Sequence, residues 1–229
     1  MVRQFIFKNL KKKENKKLNL INLGRLDYNI AWNKQKQAVE NRKLGLIPDT
    51  LFMVEHDPVY TLGKNSDSNN LLQSRDDKIP IFNVERGGDV TFHGPGQLVG
   101  YPILDLHFHK LSITWYMRNL EKVLIKTLKE FDINSNTRNG FAGVWVDDYK
   151  IAALGVKMSK WVSMHGFALN INNNLQFYDG IIPCGLLQYD IISMKELLKK
   201  EIDINKVKKI VLKYFAQIFS FDKVEFNNA

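Results

Sequence analysis

Residues 86–97, RGGDVTFHGPGQ, set Gly87, Gly88, Gly94, Gly96 and Pro95 around His93 and run directly into the apolar segment LVGYPILDL. Strand-like patterns lie on both sides, IFNVE (81–85) and DVTFH (89–93) before the second glycine pair and LVGYPILDL (98–106) after it. The glycines therefore join strands, where they mark positive φ or a backbone that something approaches closely. A nucleotide-binding P-loop is excluded because no G-K-[ST] follows. The dinucleotide fingerprint is excluded because the glycines lead into a strand and not into a helix N-terminus. What remains is a glycine-lined wall with Arg86 at one end and His93 at the other, suited to a long substrate lying against backbone. A tight hairpin around a buried structural histidine satisfies the same pattern.

Around this stretch the chain reads as a mixed β-sheet with covering helices, an α+β or loosely mixed α/β fold. LNLINL (18–23) and LFMVEH (51–56) read as strands, and between them Asp27 caps a helix running to about Lys43. The clearest helix starts at Ser112 and places Ile113, Tyr116, Met117, Leu120, Leu124, Leu128 and Phe131 at helical spacing, which marks a core face. GVWVDDYKIAALGVKM (143–158) predicts a hairpin turning at Asp147-Asp148, and MHGFALNI (164–171) a further strand. A last helix over about 204–219 presents Val207, Ile210, Val211, Tyr214, Phe215 and Ile218. No repeat or Pro/Ser-rich linker divides the chain, so residues 18–229 are expected to form one catalytic domain behind a basic segment, 1–17.

At 229 residues and 45% hydrophobic content, one domain has ample material for a core. No apolar run is long enough to span a bilayer, and the start MVRQFIFKNLKKK lacks a signal peptide's apolar centre. A soluble cytoplasmic protein is expected, an organellar matrix being the other compartment compatible with a basic N-terminus. The formal net charge is +9, and residues 1–17 alone hold seven Lys/Arg against Glu14. Such a patch suits an acidic partner, or reflects a solubilising lysine bias. A nucleic-acid-binding protein would explain the charge, but its basic residues should follow a helix or an aromatic face.

The single cysteine, Cys184 in IIPCGLL, has no partner for an internal disulfide, and Pro183 and Gly185 hold it in a turn. It is either a small buried hydrophobe or a nucleophile, since such a turn leaves backbone N–H groups to stabilise an oxyanion. A thiol needs a cation or base nearby to react as thiolate at neutral pH. Lys150, opening KIAALG, is the best candidate in the sequence, with a snorkelling hairpin lysine as the alternative. His93 and His165 are further candidates for lining a site, His165 as an auxiliary group. His107 and His109 would share one face of a strand at H-x-H spacing, but a zinc site needs a third ligand, and no metal is expected.

Taken in order, RGGDVTFHGPGQLVGYPILDL, KIAALGVK, MHGFALNI and IIPCG resemble the lipoyl(octanoyl) transferases called LipB, within the biotin/lipoate protein ligase superfamily. The resemblance extends from about Leu20 to the last helix. It implies transfer of octanoyl from octanoyl-acyl carrier protein to a lysine of a lipoyl domain, such as those of 2-oxoacid dehydrogenase E2 subunits or the glycine cleavage H protein. This is the first step of protein lipoylation, and it implies no cofactor, no metal, no nucleic acid and no membrane. The resemblance makes Cys184 the carrier of an acyl-thioester intermediate and Lys150 its activating residue. It further implies substrate contacts at Arg86, Gly87, Gly88, Asp89, Val90, Thr91, Phe92 and His93, at Ala153, Leu154 and Gly155, and at Gly166, Phe167 and Ala168. Phe92 stands where tyrosine is common in the family, and Ile182 where asparagine often precedes the P-C-G motif. An ATP-dependent lipoate or biotin ligase on the same fold is the alternative, though such ligases do not need Cys184.

Overall fold

The computed structural model describes residues 16–182 and 190–228. Strands β1 (Lys17–Leu26), β2 (Asp49–His56), β3 (Val59–Leu62), β4 (Ile81–Asn83), β5 (Val90–His93) and β6 (Gln97–Ile103) come from the first half. The second half adds β7 (Asn136–Arg138), β8 (Phe141–Val146), β9 (Tyr149–Ser159), β10 (Val162–Asn170) and β11 (Lys223–Asn228). Helices are α1 (Tyr28–Lys43), α2 (Ile113–Lys129), α3 (Met194–Leu198) and α4 (Ile204–Phe219).

Eight strands form a mixed sheet in the order β11-β1-β2-β6-β10-β9-β8-β7, and β4-β3-β5 form a small second sheet. Strand β1 runs parallel to both β2 and β11, while β2, β6, β10, β9, β8 and β7 pair antiparallel in succession. The alternation of side chains sorts the residues of the central strands between two faces. Leu51 and Met53 of β2, Leu98 of β6 and Leu169 of β10 join the buried faces of α2 and α4 in one core. Phe52, Val54, Val99, Tyr101, Ile103 and Ala168 point the other way, towards Ala31, Ala38 and Val39 of α1.

Local chemistry fixes the helix ends as the sequence predicts. The Asp27 side chain accepts the Ile30 N–H at 3.1 Å and the Ser112 hydroxyl accepts that of Trp115 at 3.2 Å, each satisfying a donor that the first turn leaves open. Helix α4 stops at Ser220, which takes the left-handed conformation (φ +58°) and lets Phe221 N–H reach the Ala216 carbonyl. The β8–β9 hairpin turns at Asp147-Asp148, with Asp147 at φ +50°. The strand expected over 98–106 ends at Ile103, because Asp105 caps a 3-10 turn over Leu106–Phe108. His107 and His109 therefore do not share a strand face. His107 bonds Asp105, and His109 is buried against Asp49 at 2.6 Å. Among the described residues no helix is long and apolar enough to cross a membrane, and no group of three or more metal-ligating side chains is placed to hold an ion.

Candidate active site

Where α1 stops covering its face of the sheet, a cavity opens between the small sheet and strands β6, β9 and β10. Its atom-free space, with the open mouth included, is about 530 Å³. The four sequence motifs that the resemblance rests on converge here through three of their segments. Arg86, Gly88, Asp89, Val90, Thr91 and His93 supply one wall. Lys150, Ala153, Leu154 and Gly155 of β9 and His165, Gly166, Phe167 and Ala168 of β10 supply the other. Gly166 is required by the sheet: a Cβ there would fall 2.2 Å from the Gly100 carbonyl oxygen on β6.

Two of the expected contacts lie elsewhere. Phe92 turns away from His93 along β5 and packs with Tyr60, Phe177 and Tyr178 in a separate apolar cluster. Gly87 is spent on structure, its N–H donating to the Val156 carbonyl at 2.9 Å and so fastening the glycine loop to β9. Three lining residues were not among the expected substrate contacts: Tyr28, Val99 and Tyr101, the last two lying inside the first motif. Val99 and Tyr101 were accessible by strand alternation on β6, whereas Tyr28, the first residue of α1, carries no signal of its own.

The cavity lining carries the charged side chains Arg86, Lys150 and Asp89 among neutral rings. Arg86, 8% exposed, donates to the Thr61 carbonyl at 2.6 Å, to the Thr61 hydroxyl and to the Gly87 carbonyl. Burial, reinforced by His56 and by Arg86, pushes the His93 pKa down to about 3. Burial likewise lowers His56 and His165 to about 4, Arg86 adding to the shift of His165. At neutral pH all three imidazoles are uncharged. His93 Nδ1–H then donates to Gln97 Oε1 at 2.8 Å, and the Gln97 amide is itself held by Asn170 Oδ1 and the Tyr178 hydroxyl. His56 Nδ1–H donates to the Leu26 carbonyl at 2.9 Å and Nε2 accepts from the Tyr101 hydroxyl at 2.8 Å. His165 sits at φ +59° inside a strand, a conformation held by its N–H bond to Gln35 Oε1 on α1. Its Nε2 stands 3.8 Å from Glu85 Oε2, beyond hydrogen-bonding range.

Lys150, the second residue of β9, is 5% exposed. Its N–H donates to the Asp190 carbonyl at 2.9 Å and its carbonyl accepts from Ile192 N–H at 3.1 Å, so the segment 190–192 runs alongside it. Before that motif, Ile182 N–H donates to the Asn70 carbonyl at 2.9 Å, and the Asn70 side-chain amide bonds the Asp89 carboxylate in the cavity wall. Cys184 itself lies outside the described residues.

Comparison with known proteins places this geometry in a family. Residues 27–216 match the lipoyl protein ligase A/B catalytic domain. An octanoyltransferase of Alkaliphilus metalliredigens is 42% identical over 213 residues, covering 91% of this chain and 98% of that protein. One from Gloeobacter violaceus is 44% identical over 201 residues, covering 87% and 89%. Among solved structures, a bi-partite lipoate protein ligase from Thermoplasma acidophilum superposes with a TM-score of 0.68 at 13% identity, covering 93% of this chain and 86% of that one. A biotin protein ligase from Aquifex aeolicus does so with a TM-score of 0.53 at 16% identity, covering 88% and 69%. The structural likenesses show a shared fold, and the sequence matches go further: the chain belongs to the octanoyltransferases of the lipoyl protein ligase A/B catalytic-domain family.

Proposed function

We propose that this octanoyltransferase takes its acyl group from octanoyl-acyl carrier protein and delivers it to a lysine of a lipoyl domain, through a thioester on Cys184 with Lys150 as its partner. The observation that carries this reading is the tethering of both ends of the Cys184 segment at the cavity. Ile182, two residues before the cysteine, is bonded through Asn70 to the Asp89 wall, and Asp190 and Ile192 are bonded to Lys150. Lys150 is thus bonded to the described segment, residues 190–192, that follows the cysteine in sequence.

In the first step the Cys184 thiolate attacks the octanoyl carbonyl, the new C–S bond forms as the carrier's C–S bond breaks, and the carrier's thiol leaves with a proton given up by Lys150. In the second step the acceptor lysine's amine attacks that thioester, the amide forms as the C–S bond to Cys184 breaks, and the released proton passes to Lys150, restoring the Cys184 thiolate. Lys150 favours thiolate in the first step by Coulomb attraction, and as amine it takes the acceptor's proton in the second. Val99, Ala153, Leu154, Phe167 and Ala168 give the cavity an apolar lining for the acyl chain, each buried methylene contributing about 0.8 kcal/mol. Arg86 supplies the fixed positive charge. The neutral histidines, with pKa values of about 3 to 4, act as hydrogen-bonding walls and not as proton carriers at neutral pH.

The alternative is an ATP-dependent ligase acting on the free acid. Incubation with octanoyl-acyl carrier protein in the absence of ATP decides between them. A hydroxylamine-labile octanoyl adduct is expected on the wild-type chain and none on Cys184→Ala. An adduct that forms only from octanoate with ATP, or that persists in Cys184→Ala, overturns the proposal.

A further inference from the structure

Strands β8 and β9 change register beside Lys150. Val144 faces Ala152, but the next pairs are Trp145 with Lys150 and Val146 with Tyr149, which leaves Ile151 as the extra residue of a bulge. The slip turns Lys150 onto Trp145 as its cross-strand neighbour, where an unbroken ladder would set it against Val146. The Lys150 Nζ accordingly lies over the indole, 4.9 Å from the ring centroid. Trp145 is 2% exposed, so the contact is shielded from water. Gly143, at φ +143°, leaves the space that this arrangement needs. A Cβ there would lie 2.7 Å from the Ala152 carbonyl oxygen, 3.1 Å from Lys150 Cε and 3.5 Å from Trp145 Nε1. Arg138 reaches the same ring, its guanidinium carbon 5.1 Å from the centroid, and is itself paired with Asp148.

A lysine side chain is a flexible four-carbon stem carrying a point charge, and left alone it samples many rotamers. A desolvated aromatic face attracts that charge strongly enough to change a rate by about 10- to 30-fold. We infer that Trp145 is a positioning residue for the transfer reaction, holding the Lys150 amine in one place beside the reacting thiol. The inference rests on the role of Lys150 proposed above. A tryptophan that merely filled the core would have no need of the bulge, of a glycine opposite the lysine stem, or of a cation over its ring.

The test is a double-mutant cycle with a chemical probe of the thiol. Trp145→Leu and Trp145→Phe are made in the wild-type and in the Lys150→Met backgrounds. Octanoyl transfer and the pH dependence of Cys184 alkylation by iodoacetamide are then measured, with thermal melting as the check on folding. Trp145→Leu is expected to slow transfer about tenfold, mainly in kcat, and to move the alkylation profile to higher pH, with Trp145→Phe restoring most of the loss. In Lys150→Met the same change is expected to add nothing. Should Trp145→Leu fail to fold, fluorinated tryptophans at position 145 keep the shape while weakening the ring's negative face, and are expected to slow transfer in proportion to fluorination. Equal slowing in both backgrounds, or no response to fluorination, overturns the inference while leaving Lys150 in place. A silent Lys150→Met overturns the role of Lys150 itself, and the inference with it.

Discussion

The two faces of the large sheet are covered in opposite ways. On one, α2 and α4 press Tyr116, Leu120, Val123, Leu124, Leu128, Val207, Val211, Phe215 and Phe219 onto the strands, nearly all without exposure. On the other, α1 offers Ala31, Gln35, Ala38 and Val39, small or polar residues that lie close to the sheet and fill little volume. Beyond the end of that thin cover lies the cavity, with Arg86, Lys150 and Asp89 in its lining beside uncharged histidines. The two faces thus differ in what they supply, stability on one and most of the binding space on the other, although Leu154 and Phe167 of the thick-face core also line the cavity. Substitutions away from those two can be chosen to affect either alone.

The largest effect is expected from Phe215→Ala, which removes a fully buried ring from the thick face and costs about 3–5 kcal/mol of unfolding free energy. Its specific activity per folded molecule, measured well below the lowered midpoint, is expected to equal that of the wild type. Ala168→Leu is the counterpart on the thin face. Extra methylenes in a packed site cost about 1–3 kcal/mol, but here they project into the cavity, so octanoyl transfer is expected to fall at least tenfold while the melting midpoint moves by only a few degrees. Hexanoyl donors should be less affected than octanoyl ones. A Phe215→Ala protein that is folded yet inactive, or an Ala168→Leu protein with normal transfer, breaks the division between the faces.

Titration sharpens the same contrast at smaller scale. His56, His93 and His165 lie on the cavity side, and their folded pKa values of about 4, 3 and 4 sit below the ordinary 6.5. Because the unfolded chain binds protons that the folded chain refuses, stability is complete above about pH 6.5 and falls as pH drops towards 4. Each such histidine costs about 1.4 kcal/mol per pH unit in that window, hence about 1.4 kcal/mol at pH 5.5. Urea unfolding of His56→Gln at pH 7.5 and 5.5 is expected to show a smaller difference between the two than the wild type shows, by about 1.4 kcal/mol. An unchanged difference would mean that His56 is already protonated in the folded protein.

The thick face was legible in the sequence because its packing is periodic. Leucines and aromatics at helical spacing behind Ser112, and the stripe from Val207 to Ile218, announce both helices and their buried sides. The thin face was legible only as motifs. Helix α1 shows its cap, Asp27, but its buried residues include Gln35, so no apolar stripe marks which side meets the sheet. Short strands with polar residues, such as β7 (NTR) and β11 (KVEFNN), were missed because their pairing is decided by distant partners. Within the site, reading residues 86–93 as one continuous wall overlooked the strand period, by which Phe92 and His93 point opposite ways. Tyr28 reaches the cavity through the angle at which α1 leaves β1, which no local pattern encodes.

The smallest effect separates the two faces through their helix caps. Ser112→Ala and Asp27→Ala each strip the side-chain acceptor from a first turn and are expected to lower stability by about 1 kcal/mol. Their consequences for transfer should differ. Ser112 starts α2, whose buried side ends in the core, so its loss is expected to leave KM and kcat unchanged. Asp27 precedes Tyr28, whose ring lies parallel to that of His93 at 6.2 Å in the cavity wall. Fraying the first turn of α1 therefore loosens a wall of the binding space, and Asp27→Ala is expected to raise KM for the octanoyl donor severalfold at unchanged kcat. Equal KM values for the two variants would show that Tyr28 is held by the rings around it, His56 at 5.2 Å and Phe82 at 5.3 Å, and not by the helix that carries it.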